Sequence, residues 1–296
     1  MSHKIAPSEL ILNPDGSLYH LHLKPGQIAE DILLVGDPDR VDIIADLFET
    51  IEFRIQNREF ITVTGLYNGK RVSAISTGIG TDNIDIVINE LDALVNINLE
   101  TREIYAQKTI LNFVRIGTSG SLQADIPSSA YLVALRAIGF DGLMNFYARR
   151  EEITDLDFEK AFKADTKWNT LLPSPYVVNC NLELYSRIID YEFTSGITIS
   201  APGFYGPQGR ELRLKVLDPD LNRKIELFRF NGERITNYEM ECSAIYGLSQ
   251  LLGHRAITVC IVLNNRVSTE VNIDYKHIMK NLICKILDQL TQKNGK

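Results

Sequence analysis

Short runs of β-branched and aromatic residues alternate with amphipathic helical stretches along most of this chain. The strand-like runs include residues 31–36, 61–64, 72–76, 109–116, 131–134, 196–200 and 256–263. Between them, apolar residues recur at helical spacing, as in Ile84, Val87, Ile88 and Leu91. Because strands that alternate with helices build α/β sheets, we predict such a sheet, with ligands bound at the carboxyl ends of its strands.

Two stretches interrupt this alternation. Residues 1–30 form a polar arm, within which residues 18–23 alternate like a short edge strand that carries His20 and His22 on one face. The charged segment 149–178 contains the only tryptophan, and strand patterns resume on both sides of it. We therefore predict one domain over residues 1–296, with an N-terminal arm at 1–30 and an insertion or lid near 149–178.

Charge and cysteine usage argue against several functional classes. The net charge is −7, and no cluster of lysines and arginines marks a nucleic-acid surface. The four cysteines are far apart and lack CxxC spacing, which indicates thiols in a reducing compartment rather than disulfides or a zinc site. The sequence contains no uninterrupted run of about 18 apolar residues, the length that a membrane-spanning helix needs. We expect a cytoplasmic protein that binds neither nucleic acid nor membranes.

The sequence GDPDR at residues 36–40 predicts a helix start directly after a buried strand. Asp37 suits the N-cap position and Pro38 the first helical position. Such a junction presents free backbone N–H groups and the positive end of a helix dipole to an anion. The same residues also fit an ordinary tight turn with a surface arginine. A separate turn signal, Asn68-Gly69, predicts a hairpin between the runs at 61–64 and 72–76.

Two further glycine-containing segments follow predicted strands. TGIG at 77–80 leads into a helix for which Thr81 or Asp82 is the expected cap. GTSG at 117–120 predicts a turn that ends the strand carrying Arg115. Free backbone N–H groups, a threonine hydroxyl and an arginine are the kinds of donor that bind phosphate. Taken alone, so short a segment is more often a buried strand followed by an ordinary glycine turn with a surface arginine.

The loop at residues 201–210 is rich in glycine and proline but holds aromatic, amide and guanidinium groups. Phe204, Gln208 and Arg210 suit stacking on, and hydrogen bonding to, a flat heterocycle, although a solvated loop with stray aromatics is also compatible. Residues 237–242 are predicted to open the next helix. The last strand ends in Asn264-Asn265-Arg266.

From about residue 20 to residue 266 the chain resembles the nucleoside phosphorylase family, and within it the enzymes that cleave uridine. Seven ordered segments carry this likeness: GDPDR at 36–40, REF at 58–60, STGIG at 76–80, RIGT at 115–118, FY at 204–205 with Gln208 and Arg210, YEME at 238–241, and NR at 265–266. The resemblance implies a single-domain, three-layer α/β fold with a twisted, barrel-like mixed sheet flanked by helices. It also implies reversible, phosphate-dependent cleavage of uridine to uracil and ribose 1-phosphate in pyrimidine salvage, with phosphate as co-substrate and no cofactor.

The resemblance assigns four groups of residues by matching position. The phosphate-binding group is Gly36, Arg40, Arg58, Arg115 and Thr118. The ribose-binding group is His20, for the 5′-hydroxyl, with Met240 and Glu241 for the other hydroxyls. The base-binding group is Phe204, Gln208, Arg210 and Arg266. A monovalent cation such as potassium would lie at Glu59, Val72 and Ser76.

The chemistry of glycosidic cleavage agrees with these residue types. Breaking the bond builds positive charge on the ribose and negative charge on the base, so a counter-charge is needed on both sides. The catalytic group implied by the resemblance is Arg115, Gln208, Arg210 and Glu241. Arg58 and His20 would come from a neighbouring subunit. The resemblance therefore implies a homodimer, or a homohexamer built as a trimer of dimers, with shared active sites.

Three other functions stay open at this point. A purine nucleoside phosphorylase typically has an aspartate near residue 264, where this chain has amides. A nucleosidase, which uses water instead of phosphate, would be expected to lack Arg40, Arg58 and Arg115. A non-catalytic nucleoside-binding or storage protein on the same fold would be expected to have lost Glu241 or a phosphate arginine. Residues 81–83 (TDN) depart from the GPS that bacterial uridine-cleaving relatives usually show.

Overall fold

The computed structural model describes residues 4–272 and 274–292. The strands in these ranges are β1 Asp31–Val35, β2 Thr50–Asn57, β3 Phe60–Tyr67, β4 Lys70–Ser76, β5 Ile97–Asn98, β6 Glu103–Ile104, β7 Asn112–Ser121, β8 Tyr131–Gly139, β9 Tyr176–Asn179, β10 Phe193–Ser200, β11 Arg229–Phe230, β12 Glu233–Glu239 and β13 Arg255–Asn265. The α-helices are α1 Pro38–Ala45, α2 Thr81–Asn96, α3 Leu156–Thr166, α4 Leu182–Ile188, α5 Leu221–Leu227, α6 Cys242–Leu252 and α7 Lys276–Thr291. Short 3-10 turns occur at Leu143–Phe146, Arg150–Glu152 and Gly206–Gln208.

Five strands of the main sheet close into a ring. Strands β12, β10, β8, β13 and β7 pair in this order, and an antiparallel contact that sets Tyr238 opposite Gly120 joins β12 back to β7. From β7 the sheet continues outward through β1, β4 and β3 to β2, while β9 adds to β8 and β11 to β12. Parallel pairs such as β1 with β7 coexist with antiparallel pairs such as β3 with β4. The predicted mixed, barrel-like sheet is confirmed.

Helices cover both faces of this sheet. Because successive side chains of a strand point to opposite faces, β1 contributes to two cores. Ile32 and Leu34 belong to a cluster with the apolar faces of α2 and α6, whereas Leu33 and Val35 pack with α1 and α7. All four side chains are fully buried, and each contributes roughly 1.5–3 kcal/mol relative to exposure. The strand is therefore held between helical layers at the point where the GDPDR segment leaves it.

Two local predictions are confirmed in atomic detail. Asp37 caps α1 by accepting a hydrogen bond from the Asp39 backbone N–H, and Pro38 is the first helical residue. The Asn68-Gly69 turn joins β3 to β4, and both residues adopt the left-handed conformation that such two-residue turns require.

The predicted turn at residues 117–120 is wrong, because β7 runs straight through it to Ser121. Glycine is needed at these two positions because a side chain would not fit, and not because the backbone turns there. A Cβ at Gly117 would lie 3.0 Å from Cys260 Sγ, and one at Gly120 would lie 2.9 Å from Asn264 Oδ1, both on the adjacent strand β13. Glycine thus permits a close approach between β7 and the side chains of β13.

Other local predictions also need correction. Residues 237–239 belong to β12, so the helix expected to open there begins only at Cys242. Helix α2 is capped by Gly80 at φ 99° without a side-chain hydrogen bond, not by Thr81 or Asp82. Residues 18–23 form a turn that the Leu18 and Leu23 backbones close, not an edge strand.

The segment 149–178 contains α3, which packs on the body of the fold. Phe158 and Phe162 are fully buried in a cluster that also contains Phe140 and the partly buried Trp168. Within the described ranges, no helix combines the length and the apolar character needed to cross a lipid bilayer.

Candidate active site

A cavity of about 1010 Å³ lies where β1, β7, β10, β12 and β13 approach their carboxyl ends. This position is where the sequence pattern predicted ligand binding. Ten of the residues assigned by resemblance line the cavity: Gly36, Arg40, Glu59, Arg115, Thr118, Phe204, Gln208, Arg210, Met240 and Glu241. Five others do not line it: His20, Arg58, Val72, Ser76 and Arg266.

Arg115 lies between two carboxylates in the interior end of the cavity. Its Nη2 donates to Glu241 Oε2 in a very short contact, and its Nε lies 3.4 Å from Glu239 Oε2. Arg115 is 4% exposed, and both glutamates are 3% exposed. Its remaining nitrogen, Nη1, is buried without a hydrogen-bond partner among the described residues. A buried guanidinium with an unused donor is suited to receive an anion.

Glu239 fixes the backbone that carries Glu241. Its carboxylate accepts hydrogen bonds from the Glu241 N–H at 2.8 Å, the Cys242 N–H at 2.9 Å and the Ser200 hydroxyl. The carboxylate therefore satisfies N–H groups at the start of α6, where the helix dipole favours negative charge. Strand β10, strand β12 and helix α6 meet at this one side chain.

Glu241 is held from the opposite side by the glycine junction before α2. Its Oε1 accepts the Gly80 backbone N–H at 2.8 Å. Burial, reinforced by the neighbouring charge of Glu239, raises the pKa of Glu241 to about 7, although the adjacent Arg115 opposes this shift. Gly78 is required here, since it has a φ of 69° and a Cβ would lie 2.4 Å from Asn83 Nδ2.

Arg40 adds a second positive charge near Arg115. Its guanidinium is half-buried and donates to the Ile116 carbonyl over a long 3.4 Å contact. Burial and the charge of Arg115 lower the pKa of Arg40. Two cations that repel each other in a poorly solvated site gain stability when an anion lies between them. Gly36, which also lines the cavity, leaves backbone room beside the Gly78 carbonyl.

The opposite end of the cavity is built by the loop after β10. Gln208 is 3% exposed, and Arg210 Nη1 donates to its Oε1 at 2.5 Å and to the Phe204 carbonyl at 2.6 Å. The Arg210 guanidinium stacks on the Phe204 ring at 3.8 Å from its centroid. Burial, together with the nearby charge of Arg266, lowers the pKa of Arg210 to about 10. This end therefore offers amide and guanidinium groups beside an exposed aromatic ring.

Arg266 supports this loop from outside the cavity. Its Nη1 donates to the Gln208 carbonyl oxygen, which also accepts Asn222 Nδ2 at 3.2 Å. The structure thus brings Arg266 next to Gln208 but not into the cavity wall.

The exposed Arg58 and the partly exposed His20 lie near each other, and neither lines the cavity. The Arg58 guanidinium lies 5.6 Å from the centroid of the Tyr19 ring, which packs edge-on against the His20 ring. Asn57, next to Arg58, donates to the His20 carbonyl at 2.7 Å. Arg58 has a φ of 54°, a left-handed conformation that is uncommon for a side chain of this size.

Of the three residues assigned to a cation site, Glu59 and Ser76 meet within one chain, whereas Val72 lies apart from them. Val72 precedes Ser76 by four residues on β4, which corresponds to about 13 Å along a strand. Ser76 Oγ donates to the Glu59 carbonyl at 2.6 Å and accepts the Ile61 N–H at 2.7 Å. Glu59 instead directs its carboxylate toward Asn83, at 3.2 Å, beside the cavity.

Sequence reasoning missed the role of Glu239. The available signal was an acid placed three residues before the helical residue Cys242, which is the spacing of a side chain that caps a helix. The predicted helix over 237–242 hid this signal, because it placed Glu239 inside the helix.

The chain matches a known protein family and is similar to several named proteins. Residues 30–290 match the Phosphorylase superfamily. A uridine phosphorylase of Thermococcus kodakarensis is 32% identical over 276 residues, which cover 91% of this chain and 85% of the relative. A DeoD-type purine nucleoside phosphorylase of Listeria welshimeri is 31% identical over 244 residues, covering 82% and 85%. A solved Trypanosoma brucei nucleoside phosphorylase, described as showing uridine phosphorylase activity, superposes with a TM-score of 0.85 at 30% identity, covering 95% of this chain and 99% of that chain.

Proposed function

The chain belongs to the phosphorylase superfamily, as an enzyme of the nucleoside phosphorylase type, and from this premise we propose that its substrate is uridine. The reaction would be the reversible, phosphate-dependent cleavage of the N-glycosidic bond to uracil and ribose 1-phosphate. Identity alone does not select the base, because uridine-cleaving and purine-cleaving relatives are 32% and 31% identical. The choice rests on the base end of the cavity.

The observation that carries this proposal is the pairing of Gln208 with Arg210. Uracil presents one N–H donor between two carbonyl acceptors, so it is matched by an amide and a guanidinium on one edge. Arg210 holds Gln208 Oε1, which leaves the Gln208 amide N–H groups without a partner among the described residues. Phe204 is 51% exposed beside them and can pack on the face of a base.

The purine alternative would need a proton donor for the base. Among the described residues that line the cavity, the acids are Asp37, Glu59, Glu239 and Glu241, and position 264 carries an asparagine. Glu239 and Glu241 are engaged with Arg115, and Glu59 with Asn83, so none of these three is beside Gln208. This distribution of charge favours a base that leaves as a stabilised anion.

In the proposed mechanism, phosphate is held by Arg40, Arg115, Thr118 and the backbone at Gly36. The arginines bind the phosphate through charge-assisted hydrogen bonds. The phosphate itself supplies the oxygen that forms the new bond to the ribose C1′ as the bond to the base breaks, and its negative charge is the counter-charge for the oxocarbenium-like ribose. Glu241, with the Met240 backbone, would take the ribose hydroxyls. As the glycosidic bond lengthens, Gln208 and Arg210 would stabilise the negative charge that develops on uracil, so their contribution is largest in the transition state.

The same proposal includes shared active sites in a homodimer, or in a homohexamer built as a trimer of dimers. Support comes from the position of His20 and Arg58, which lie near each other and not in the cavity lining of their own chain. In an isologous pair, each chain would offer these two groups to the cavity of the other.

The test is uracil release from uridine by purified protein with and without phosphate, with inosine run in parallel. Phosphate-dependent release of uracil with inosine untouched is the expected result. Equal release without phosphate would identify a nucleosidase, and preferential cleavage of inosine would identify a purine phosphorylase. Binding of uridine without turnover would identify a non-catalytic protein.

A Gln208→Ala variant sharpens this test. It should raise the KM for uridine and lower kcat, while the KM for phosphate stays near the wild-type value. An equal effect on both substrates would mean that Gln208 supports the loop and does not read the base.

A further inference from the structure

Glu90, on helix α2, organises the arm residue His20. The Glu90 residue is 9% exposed, and its Oε1 lies 2.6 Å from His20 Nδ1. The same oxygen accepts the His20 backbone N–H at 3.1 Å, and Oε2 accepts the Leu21 backbone N–H at 2.9 Å. Three donors from the arm therefore converge on one carboxylate.

This arrangement fixes which ring nitrogen of His20 carries the hydrogen. A carboxylate that already receives two backbone N–H groups acts as an acceptor, so Nδ1, which faces it, is the N–H donor. In the neutral ring Nε2 is then an acceptor. Nε2 has no hydrogen-bond partner among the described residues, and the His20 side chain is 27% exposed. The outer edge of His20 thus presents a hydrogen-bond acceptor.

His20 does not line the cavity of its own chain. Gly80, which touches Glu241 in the cavity, precedes Glu90 by ten residues, or about 15 Å along α2. Asn57 and Tyr19 hold His20 beside Arg58 instead.

We propose that Glu90 is a positioning residue, which locks His20 in the Nδ1–H form so that Nε2 accepts the 5′-hydroxyl of a nucleoside bound in the cavity of a neighbouring subunit. The inference rests on the proposed function and on its shared sites. It adds a residue that touches neither substrate and acts through His20 alone.

The test compares two substrates that differ only in the group that His20 meets. In a Glu90→Gln variant, kcat/KM should fall about tenfold for uridine, the loss of one hydrogen bond to a substrate hydroxyl, and less than twofold for 5′-deoxyuridine. The KM for phosphate should not change. A His20→Phe variant should show the same pattern. Equal losses with both nucleosides, or no loss with uridine, would overturn the inference.

The matched control is Asp85→Asn on the same helix, which removes a carboxylate that accepts a hydrogen bond from Tyr147. Its kinetics should match the wild type with both nucleosides. If this variant reproduces the Glu90→Gln pattern, damage to α2 explains the effect and the inference fails.

A measurement on the wild-type protein needs no activity. Selective ¹⁵N-histidine labelling, with His20 assigned by its loss in His20→Phe, reports the tautomer from the two ring nitrogen shifts. The Nδ1–H form supports the inference, and the Nε2–H form overturns it. If uridine is not cleaved at all, the proposed function fails, while this spectrum still decides what Glu90 does to His20.

Discussion

Replacing Arg58 by glycine should separate function from stability. A left-handed conformation costs a non-glycine residue roughly 1–2 kcal/mol of strain, which glycine would remove. Glycine also loses more backbone entropy on folding, which cancels roughly 0.5–1 kcal/mol of that gain. The lost contact with the Tyr19 ring is worth about 0.5–1 kcal/mol at an exposed site. The free energy of unfolding of Arg58→Gly should therefore stay within about 1 kcal/mol of wild type, a shift in Tm of no more than about 4 °C.

Activity should respond very differently in the same variant. If Arg58 binds phosphate, its loss removes a charge-assisted contact worth about 1.5–3 kcal/mol, or roughly 10- to 150-fold in kcat/KM for phosphate. The matched control is Asn231→Gly, in the turn between β11 and β12, where the side chain also has a left-handed φ of 51°. The control should keep wild-type kinetics.

Mixed oligomers decide which chain supplies Arg58. Co-expression of Arg58→Gly with Glu241→Gln, each of which alone should keep only a small residual activity, gives mixed dimers in which one site has both Glu241 and Arg58. Since half of the dimers are mixed and one of their two sites is intact, about a quarter of wild-type activity should return. No recovery in isolated mixed dimers would show that Arg58 acts within its own chain, and the proposal of shared sites would be refuted.

Three further predictions follow from the buried charges and the base end. Because burial raises the pKa of Glu241 to about 7, the carboxylate that we propose to receive the ribose hydroxyls is lost as the pH falls through that value. The kcat/KM for uridine should therefore drop between about pH 8 and about pH 6, whereas residual activity of Glu241→Gln should show only the titration of phosphate. Arg115→Met leaves Glu239 and Glu241 without their buried cation, so urea unfolding should show a loss of about 3–5 kcal/mol; a smaller loss than about 1 kcal/mol would mean that the carboxylates are neutral in the folded protein. Asn264→Asp places a carboxyl in the cavity, and the ratio of inosine to uridine cleavage should rise; an unchanged ratio would contradict the role assigned to this position.

Elements with strong local signals were predictable from the sequence. The strand at β1, the hairpin at Asn68-Gly69 and the Asp37 cap all depend on neighbouring residues, so pattern and propensity identify them. The apolar spacing of Ile84, Val87, Ile88 and Leu91 likewise matches the buried face of α2. The local residue pattern did not predict that the sheet closes into a ring. It was expected only from the family resemblance, since ring closure depends on pairings between distant strands.

The errors share a physical cause, which is that distant partners decided the outcome. Gly117 and Gly120 resemble turn residues until Cys260 and Asn264 of the adjacent strand are seen to need their space. Residues 237–239 were wrongly predicted to be part of the following helix. They form a strand because β12 pairs with β10 and β7, and pairing with distant strands cannot be recognised from the neighbouring residues.

The site shows the same division between local and distant information. Residue types alone favoured an ordinary glycine turn over phosphate binding at Arg115, and the resemblance to a family supplied the roles. The structure brings most of the assigned residues to one cavity. It separates Val72 from Ser76, and it reveals Glu239 as the side chain that joins Arg115 to the start of α6.

The closure of the ring has a consequence for how the protein is made. Ser121 meets Thr236 across 115 positions of chain, its neighbour Leu122 also bonds to Thr236, and Asn265 lies further along the chain beside Ser121. Contacts so distant in sequence form slowly, because the entropy of closing a long loop must be lost first. The cavity therefore cannot exist on a nascent chain until nearly all of it has left the ribosome. In refolding experiments, substrate turnover should return after helical circular dichroism has recovered, and simultaneous recovery would show that the ring forms early.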